Sequence, residues 1–328
     1  MRFRTEREFL RWLMRRIPSG RGLHGRVVLG IGDDAALLQV APRHELILTA
    51  DMSIEGIHFM HRIHPAGAIG HRALARSLSD IAAMGGVPRY ALVSLALSRR
   101  SDRAWIRGVY KGMLALAERF DVTIIGGDTA VVRGPTFLDI LVAGEVPRGR
   151  AILRSGARPG DLIYVSGTLG LSALGLRRLR LHLPKHAGET RRAIRAHLYP
   201  EPQCALGRYL ASQRLASALM DISDGLSIDL LRLTEASSVG AALWAESIPR
   251  PDLSDPGESL DLALHGGEDY QLLFTVPPGK VRKIPRVFHG LPLRCIGEIH
   301  KGTGVSLIDR HSPSRELKPG GWDHFRRG

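Results

Sequence analysis

Aspartate recurs in this chain where a short apolar run breaks into glycine or a turn. Val27-Val28-Leu29 leads into Gly30-Ile31-Gly32-Asp33-Asp34, and Leu46-Ile47-Leu48 leads into Thr49-Ala50-Asp51. Val122-Thr123-Ile124-Ile125 leads into Gly126-Gly127-Asp128, and Ala218-Leu219-Met220 leads into Asp221-Ile222-Ser223-Asp224-Gly225. Such runs read as buried strands whose ends carry turns. Strand ends that converge would place several carboxylates in one cleft. Two carboxylates ~5 Å apart at an effective dielectric of ~20 repel by roughly 3 kcal/mol. Bound cations offset that repulsion, and hard oxygen ligands shared with phosphate and water suit Mg²⁺. The first expectation is a magnesium–phosphate site.

The usual phosphate-binding loops are missing. There is no G-x-x-x-x-G-K-[ST], which excludes a P-loop enzyme, and no H-R-D or D-F-G, which excludes a protein kinase. Gly30-Ile31-Gly32 begins a dinucleotide fingerprint, but Asp33 and Asp34 follow where pyrophosphate needs a neutral helix start. Neither G-x-S-x-G, H-E-x-x-H nor paired C-x-x-C occurs. Phosphate chemistry would then run through the acidic clusters.

The elements that must position these groups follow from periodicity. Residues 5–17 read as an amphipathic helix ended by Pro18-Ser19-Gly20. Strands are predicted near 26–30, 35–40 and 45–50, then a long helix over 66–84 stopped by Gly85-Gly86. On that helix Asp80 shares a face with Ile69, Ala73, Ser77 and Met84, so its carboxylate must be paired, hydrogen-bonded or metal-linked. A strand at 90–97, a helix at 102–120 and strands at 122–126 and 136–145 complete the first half. Val146-Pro147-Arg148-Gly149-Arg150 marks a boundary between domains of residues 1–148 and 149–328. The second half predicts strands at 162–165, 217–221, 240–244, 270–276, 293–298 and 304–309. Its helices fall at 170–178, 189–198, 203–213 and 225–236, with 180–188 and 249–257 as loops. Mixed strands and helices throughout give an α/β or α+β protein of two comparable halves.

Bulk composition narrows the class. At 328 residues with a net charge of +14 the chain is large and basic. Its arginines are scattered, densest over 177–195 without interleaved aromatics, so a solvated surface is preferred to a nucleic-acid footprint. Two cysteines, Cys204 and Cys295, give neither a disulfide framework nor metal spacing. No apolar run is long enough to span a membrane, and the opening Met1–Glu6 lacks the apolar core of a secretory signal. The expected location is the cytoplasm.

Five motifs stand in order: Gly30–Ala36, Ser79–Gly85, Ile125–Thr129, Asp221–Leu226 and Gly266-Gly267-Glu268-Asp269-Tyr270. The set resembles the thiamine-monophosphate kinase family of the AIR-synthase (PurM-like) ATP-binding superfamily. The Gly266–Tyr270 segment, His58 and the aromatics near the C-terminal end favour the thiamine branch. The resemblance implies a two-domain fold in which an N-terminal β-sheet/helix domain forms a barrel across a homodimer, beside a C-terminal α/β domain. It implies transfer of the γ-phosphoryl group of ATP onto thiamine monophosphate, assisted by several Mg²⁺ ions, with no residue assigned as general base. By resemblance Asp34, Thr49, Asp51, Asp80, Asp128, Asp221 and Asp224 would be metal ligands. Gly127, Asp128, Arg154, Ser223 and Tyr110 match ATP positions; His58, Glu268 and Trp322 match substrate positions. Trp322 could stack on a cationic thiazolium ring. Relatives often carry a hydroxyl where this chain has Ala50 and Asn where it has Ser77.

Blander readings stand beside these. Asp33 reads as a turn former, Asp229 as a helix-face charge, Asp269 as a structural partner, and Tyr110 as packing. The nearest rival function is another PurM-like ATP enzyme of the aminoimidazole-ribotide synthetase type. A basic nucleic-acid-binding protein is the rival from another class, and the acidic clusters argue against it, because they would repel a phosphate backbone.

Overall fold

The computed structural model describes residues 16, 27–29, 37–181, 188–309 and 312–322. The helix expected over 5–17, apart from Arg16, lies outside these residues, as do Asp33 and Asp34. The chain divides into two compact units, Met1–Ile81 with Gly86–Gly149, and Ala82–Gly85 with Arg150–Gly328.

In the first unit β1 (Val27–Leu29) and β2 (Leu37–Leu38) form a short antiparallel pair. There follow β3 (His44–Ile54), α1 (Ala66–Ala83), β4 (Val87–Ser98), α2 (Arg103–Arg119), β5 (Thr123–Val132) and β6 (Phe137–Pro147). The last four strands make a sheet of order β3-β6-β4-β5. Only β4 and β5 are parallel, as the helical crossover α2 between them requires. β4 begins at Val87, earlier than expected, because a bulge between Pro88 and Tyr90 accommodates a proline that cannot donate to the ladder.

Strand alternation sorts β3 into two faces. Ile47 and Ser53 are buried and Thr49 and Asp51 half-buried, whereas Leu46, Leu48 and Met52 are 47%, 59% and 54% exposed. Ala50 belongs to the exposed set, so a hydroxyl at that position would point away from Thr49 and Asp51. Ser77 is fully buried and donates its hydroxyl to the carbonyl of Ile140 at 2.8 Å, tying α1 to β6. Asp102 caps α2 by accepting from the Trp105 amide at 2.7 Å.

Glycine sets how closely α1 and α2 approach. A Cβ on Gly112 would stand 1.8 Å from the Gly67 carbonyl oxygen, and one on Gly70 1.9 Å from that of Val109. The two backbones therefore touch directly at this crossing.

The second unit contains β7 (Leu162–Ser166), α3 (Leu171–Arg180), α4 (Gly188–Leu198), α5 (Cys204–Ser212), β8 (Ala218–Ile222) and α6 (Leu226–Ser237). It continues with β9 (Gly240–Trp244), α7 (Pro256–His265), β10 (Gln271–Val276), β11 (Val287–Phe288), β12 (Leu291–His300), β13 (Val305–Asp309) and β14 (Ser312–Glu316). Its sheet runs β14-β13-β9-β12-β7-β10-β8, with β11 on β12, and only β9 and β13 pair in parallel. Ile163, Val165, Met220 and Leu273 from the strands pack with Leu226, Leu230 and Leu233 of α6 in the core.

Helix α7 departs from the sequence reading, which gave 249–257 as a loop and no helix after it. Asp255 accepts from the amides of Gly257 and Glu258, and Pro256 occupies the first turn, a helix start signal in an apolar-poor stretch. β14 was likewise not expected. Among the described residues no helix is long and apolar enough to cross a membrane.

Gly112→Ala should lower the urea midpoint of unfolding by an amount equivalent to ~1–3 kcal/mol, the usual cost of overpacking. Gly67→Ala, whose Cβ would meet its nearest neighbour at 3.7 Å, should be neutral or stabilising.

Candidate active site

The first unit supplies a face shared by β3 and α1. Thr49 and Asp51 lie two apart on β3, and Arg72, Arg76 and Asp80 fall four apart on α1. The Thr49 hydroxyl donates to the Asp80 carboxylate. The Arg76 guanidinium pairs with Asp51 at 3.6 Å. Sequence reasoning missed Arg72 and Arg76, although their spacing from Asp80 was the available signal.

Asp128 is exposed on β5 and accepts from the Thr129 amide at 2.8 Å. Gly127 before it has φ +146°, and a Cβ there would meet the Val93 carbonyl oxygen at 1.9 Å, so only glycine allows β4 and β5 to run together. In the register, Asp51 is level with Ile140, Val93 and Gly127. Three strand spacings of ~4.8 Å, about 14 Å, thus separate the main chains carrying Asp51 and Asp128.

His58 is half-buried, and its Nδ1 accepts from the Ile54 amide at 3.0 Å, which leaves Nε2 as the proton-bearing nitrogen of the neutral ring. It lines a small pocket with Ser53, Phe59, Ile69, Arg72 and Arg76. Arg72 is buried and reaches the His58 carbonyl at 3.4 Å. Tyr110 is 2% exposed on the inner face of α2, the place of a core residue rather than of a displayed ligand contact. Burial pushes its phenol well above the usual 10.

The second unit brings Asp221, Ser223, Asp224, Glu268 and Trp322 into one loop cluster. Asp221 is buried near the end of β8, and Ser223 and Asp224 lead into α6. Asp229, one turn into α6, is fully buried rather than a face charge. One of its oxygens accepts from the amides of Ser223, Asp224 and Gly225 at 3.0, 3.0 and 3.1 Å. The loop start is therefore pinned by a carboxylate that also complements the positive end of the helix. Arg232 donates to Asp224 at 2.6 Å and to Asp229 at 2.8 Å, sharing its one positive charge between the two carboxylates.

Two further segments close on this loop. The Glu268 amide donates to the Ser223 carbonyl at 2.7 Å and the Tyr270 amide to that of Ile222 at 2.9 Å. The Trp322 amide donates to the Asp224 carbonyl at 3.2 Å, with its side chain 51% exposed. Gly321, at φ +106°, allows this approach, since a Cβ would stand 2.2 Å from the Asp224 oxygen. Arg154 is exposed on a segment joined to β8 through Leu153 and Leu219, two residues before Asp221.

The predicted metal ligands divide between the units. Thr49, Asp51, Asp80 and Asp128 belong to the first, Asp221 and Asp224 to the second, and Asp34 lies outside the described residues. Among the described residues no three or more His, Cys, Asp or Glu side chains are gathered closely enough to hold an ion by themselves. Carboxylate and hydroxyl oxygens, without sulfur or imidazole, are donors of the kind that hard divalent cations take.

Comparison with known proteins decides the family. Residues 32–146 match the N-terminal domain of AIR synthase related protein, and residues 158–310 match its C-terminal domain. Thiamine-monophosphate kinase of Salmonella typhimurium (strain LT2) is 38% identical over 308 residues, 91% of this chain and 92% of its own length. The chain belongs to the thiamine-monophosphate kinase family. The crystal structure of thiamine-monophosphate kinase from Stenotrophomonas maltophilia K279a superposes with a TM-score of 0.76 at 36% identity, over 87% of this chain and 92% of that one. AaThiL complexed with AMPPCP and TMP superposes with a TM-score of 0.75 at 31% identity over 99% of both chains. These kinases share the mixed α/β two-domain architecture described above.

Burial pushes the Asp269 carboxyl up to about 7 and that of Asp229 up to about 6, against the backbone amides that favour their anions. An unfolded chain releases both protons near ~3.9. Between about pH 4 and 7 the folded protein thus holds protons that the unfolded chain has lost. Their contribution to stability is present below that window and declines as pH rises through it. Asp269→Asn, which cannot titrate, should flatten the pH dependence of the urea midpoint between pH 5 and 8 measured in EDTA. A slope equal to the parent's would show that Asp269 holds no such proton.

Proposed function

We propose that this chain transfers the γ-phosphoryl group of ATP to a phosphate oxygen of thiamine monophosphate, giving thiamine diphosphate and ADP. The observation that carries this reading is the joining of the family relation to the loop cluster of Asp221, Ser223, Asp224, Glu268 and Trp322. The acceptor is already an anionic oxygen, so no side chain has to remove a proton from it. The obstacle is repulsion between two polyanions.

Asp34, Thr49, Asp51, Asp80, Asp128, Asp221 and Asp224 would hold magnesium. When bound, Mg²⁺ supplies positive charge that screens the phosphates from one another. The spacing between Asp51 and Asp128 supports more than one ion. Gly127 offers ATP a backbone without a side chain, Ser223 a hydroxyl, and Arg154 a guanidinium free to reach phosphate oxygens. Tyr110, buried on α2 of the first unit, completes the set of residues proposed to serve ATP. His58, Glu268 and Trp322 would contact thiamine monophosphate: Trp322 by its ring face on the cationic thiazolium, Glu268 by its carboxylate.

The protein would act as a homodimer in the cytoplasm. Leu46, Leu48 and Met52 project from the face of β3 opposite α1, an apolar surface of the kind that protein interfaces cover. A second copy seated there would complete the expected barrel.

Purified protein with Mg-ATP should release ADP when given thiamine monophosphate, and not with thiamine or aminoimidazole ribotide precursors. Asp128→Asn should lower kcat at least ~10²-fold with an unchanged melting temperature. Trp322→Ala should raise KM for thiamine monophosphate while leaving KM for ATP near its original value; an unchanged KM for both would remove Trp322 from the site. Sedimentation should show a dimer that Leu48→Asp converts to monomer. A parent protein already monomeric at micromolar concentration would rule out the dimer.

A further inference from the structure

Helix α3 begins without a cap of its own. Its N-cap is Gly170, at φ +79°, which has no side chain to offer the first amides. The missing acceptor comes from Asp269, 99 residues away in sequence, which accepts from the amide of Gly170. It also accepts from the Ser172 amide at 3.0 Å. Asp269 is buried, and the residues on either side of it, Glu268 and Tyr270, adopt φ of +65° and +49°. Left-handed backbone is unfavourable for such residues and persists only where surrounding contacts over-determine it.

A second arm reaches the Glu268 side chain itself. The Ser172 hydroxyl meets Nδ1 of the buried His197 at 3.0 Å, and that nitrogen lies 3.9 Å from Oε2 of Glu268. Opposite this clamp, the amides of Glu268 and Tyr270 bond to the Ser223 and Ile222 carbonyls. The Gly266–Tyr270 loop is thus held between the start of α3 and the segment carrying Asp221, Ser223 and Asp224.

We infer that Asp269 is a positioning residue for thiamine monophosphate. By capping α3 it holds Glu268 in a left-handed conformation and fixes where the Glu268 carboxylate stands relative to the Asp221–Asp224 segment. This rests on the reading of Glu268 as a substrate contact. The clamp acts on thiamine monophosphate through the Glu268 carboxylate, whereas it meets Ser223 only through that residue's main-chain carbonyl, so ATP should depend on it less.

A double-mutant cycle tests the coupling. Glu268→Gln and Asp269→Asn should each raise KM for thiamine monophosphate by ~10-fold, with KM for ATP changed less than ~2-fold. The double variant should match the weaker-binding single variant, because a displaced loop loses nothing further when its carboxylate is gone. A double variant near ~100-fold, the product of the singles, would show that Asp269 acts independently of Glu268 and overturn the inference. Equal rises in both Michaelis constants for Asp269→Asn would overturn it as well, as the mark of general loosening. If Glu268→Gln changes neither constant, the substrate reading of Glu268 fails first and the inference falls with it. Should Asp269→Asn not accumulate as folded protein, Asp269→Ser retains one capping oxygen and takes its place in the same cycle.

Discussion

Acidic side chains must be held at fixed places without driving the surrounding structure apart, and the functional half of each unit is organised around that constraint. Thr49 donates to Asp80, Arg76 pairs with Asp51, and the Thr129 amide holds Asp128. Arg232 serves Asp224 and Asp229 together, while backbone amides anchor Asp229 and Asp269. A buried carboxylate without such donors costs far more than any single packing contact supplies. The donors therefore fix the loops, and the loops fix the site.

Two kinds of acid emerge from this arrangement. Asp128 and Asp224 are at least partly accessible and can offer oxygens to a ligand. Asp229 and Asp269 are turned inward and held by main-chain amides, with Arg232 on the second oxygen of Asp229, and they shape the loops that carry the first kind. Glycine makes the second role possible: Gly267, Gly321 and Gly225 let three segments meet at backbone distance around Ser223 and Asp224. A side chain at any of them would push the loops apart.

Much of the fold was legible in the sequence. The amphipathic spacing of residues 66–84 gave α1, and the apolar runs ahead of Asp221 and Gly126 gave β8 and the start of β5. Helix α7 is hidden in the sequence because Asp255-Pro256-Gly257 has the composition of a loop, though a capping acid before a first-turn proline is a helix signal. β5 runs past its expected end because Gly126 and Gly127 have the composition of a strand end. In the fold both glycines are interior to β5, and at Gly127 the β4 main chain passes too closely for a side chain.

The sequence by itself determined which acidic residues stand at the strand ends and the five ordered motifs that mark the family. It read Asp229 as a helix-face charge and Asp269 as a structural partner without showing which way either side chain points, because neighbours in a motif share composition and differ only in direction. Only the tertiary structure decided that Asp229 and Asp269 turn inward. Their partners, the amides of Ser223–Gly225 and of Gly170 and Ser172, are donors that every residue type except proline possesses. Backbone amides leave no mark in composition, and those of α3 reach Asp269 from a distant part of the chain only once it has folded.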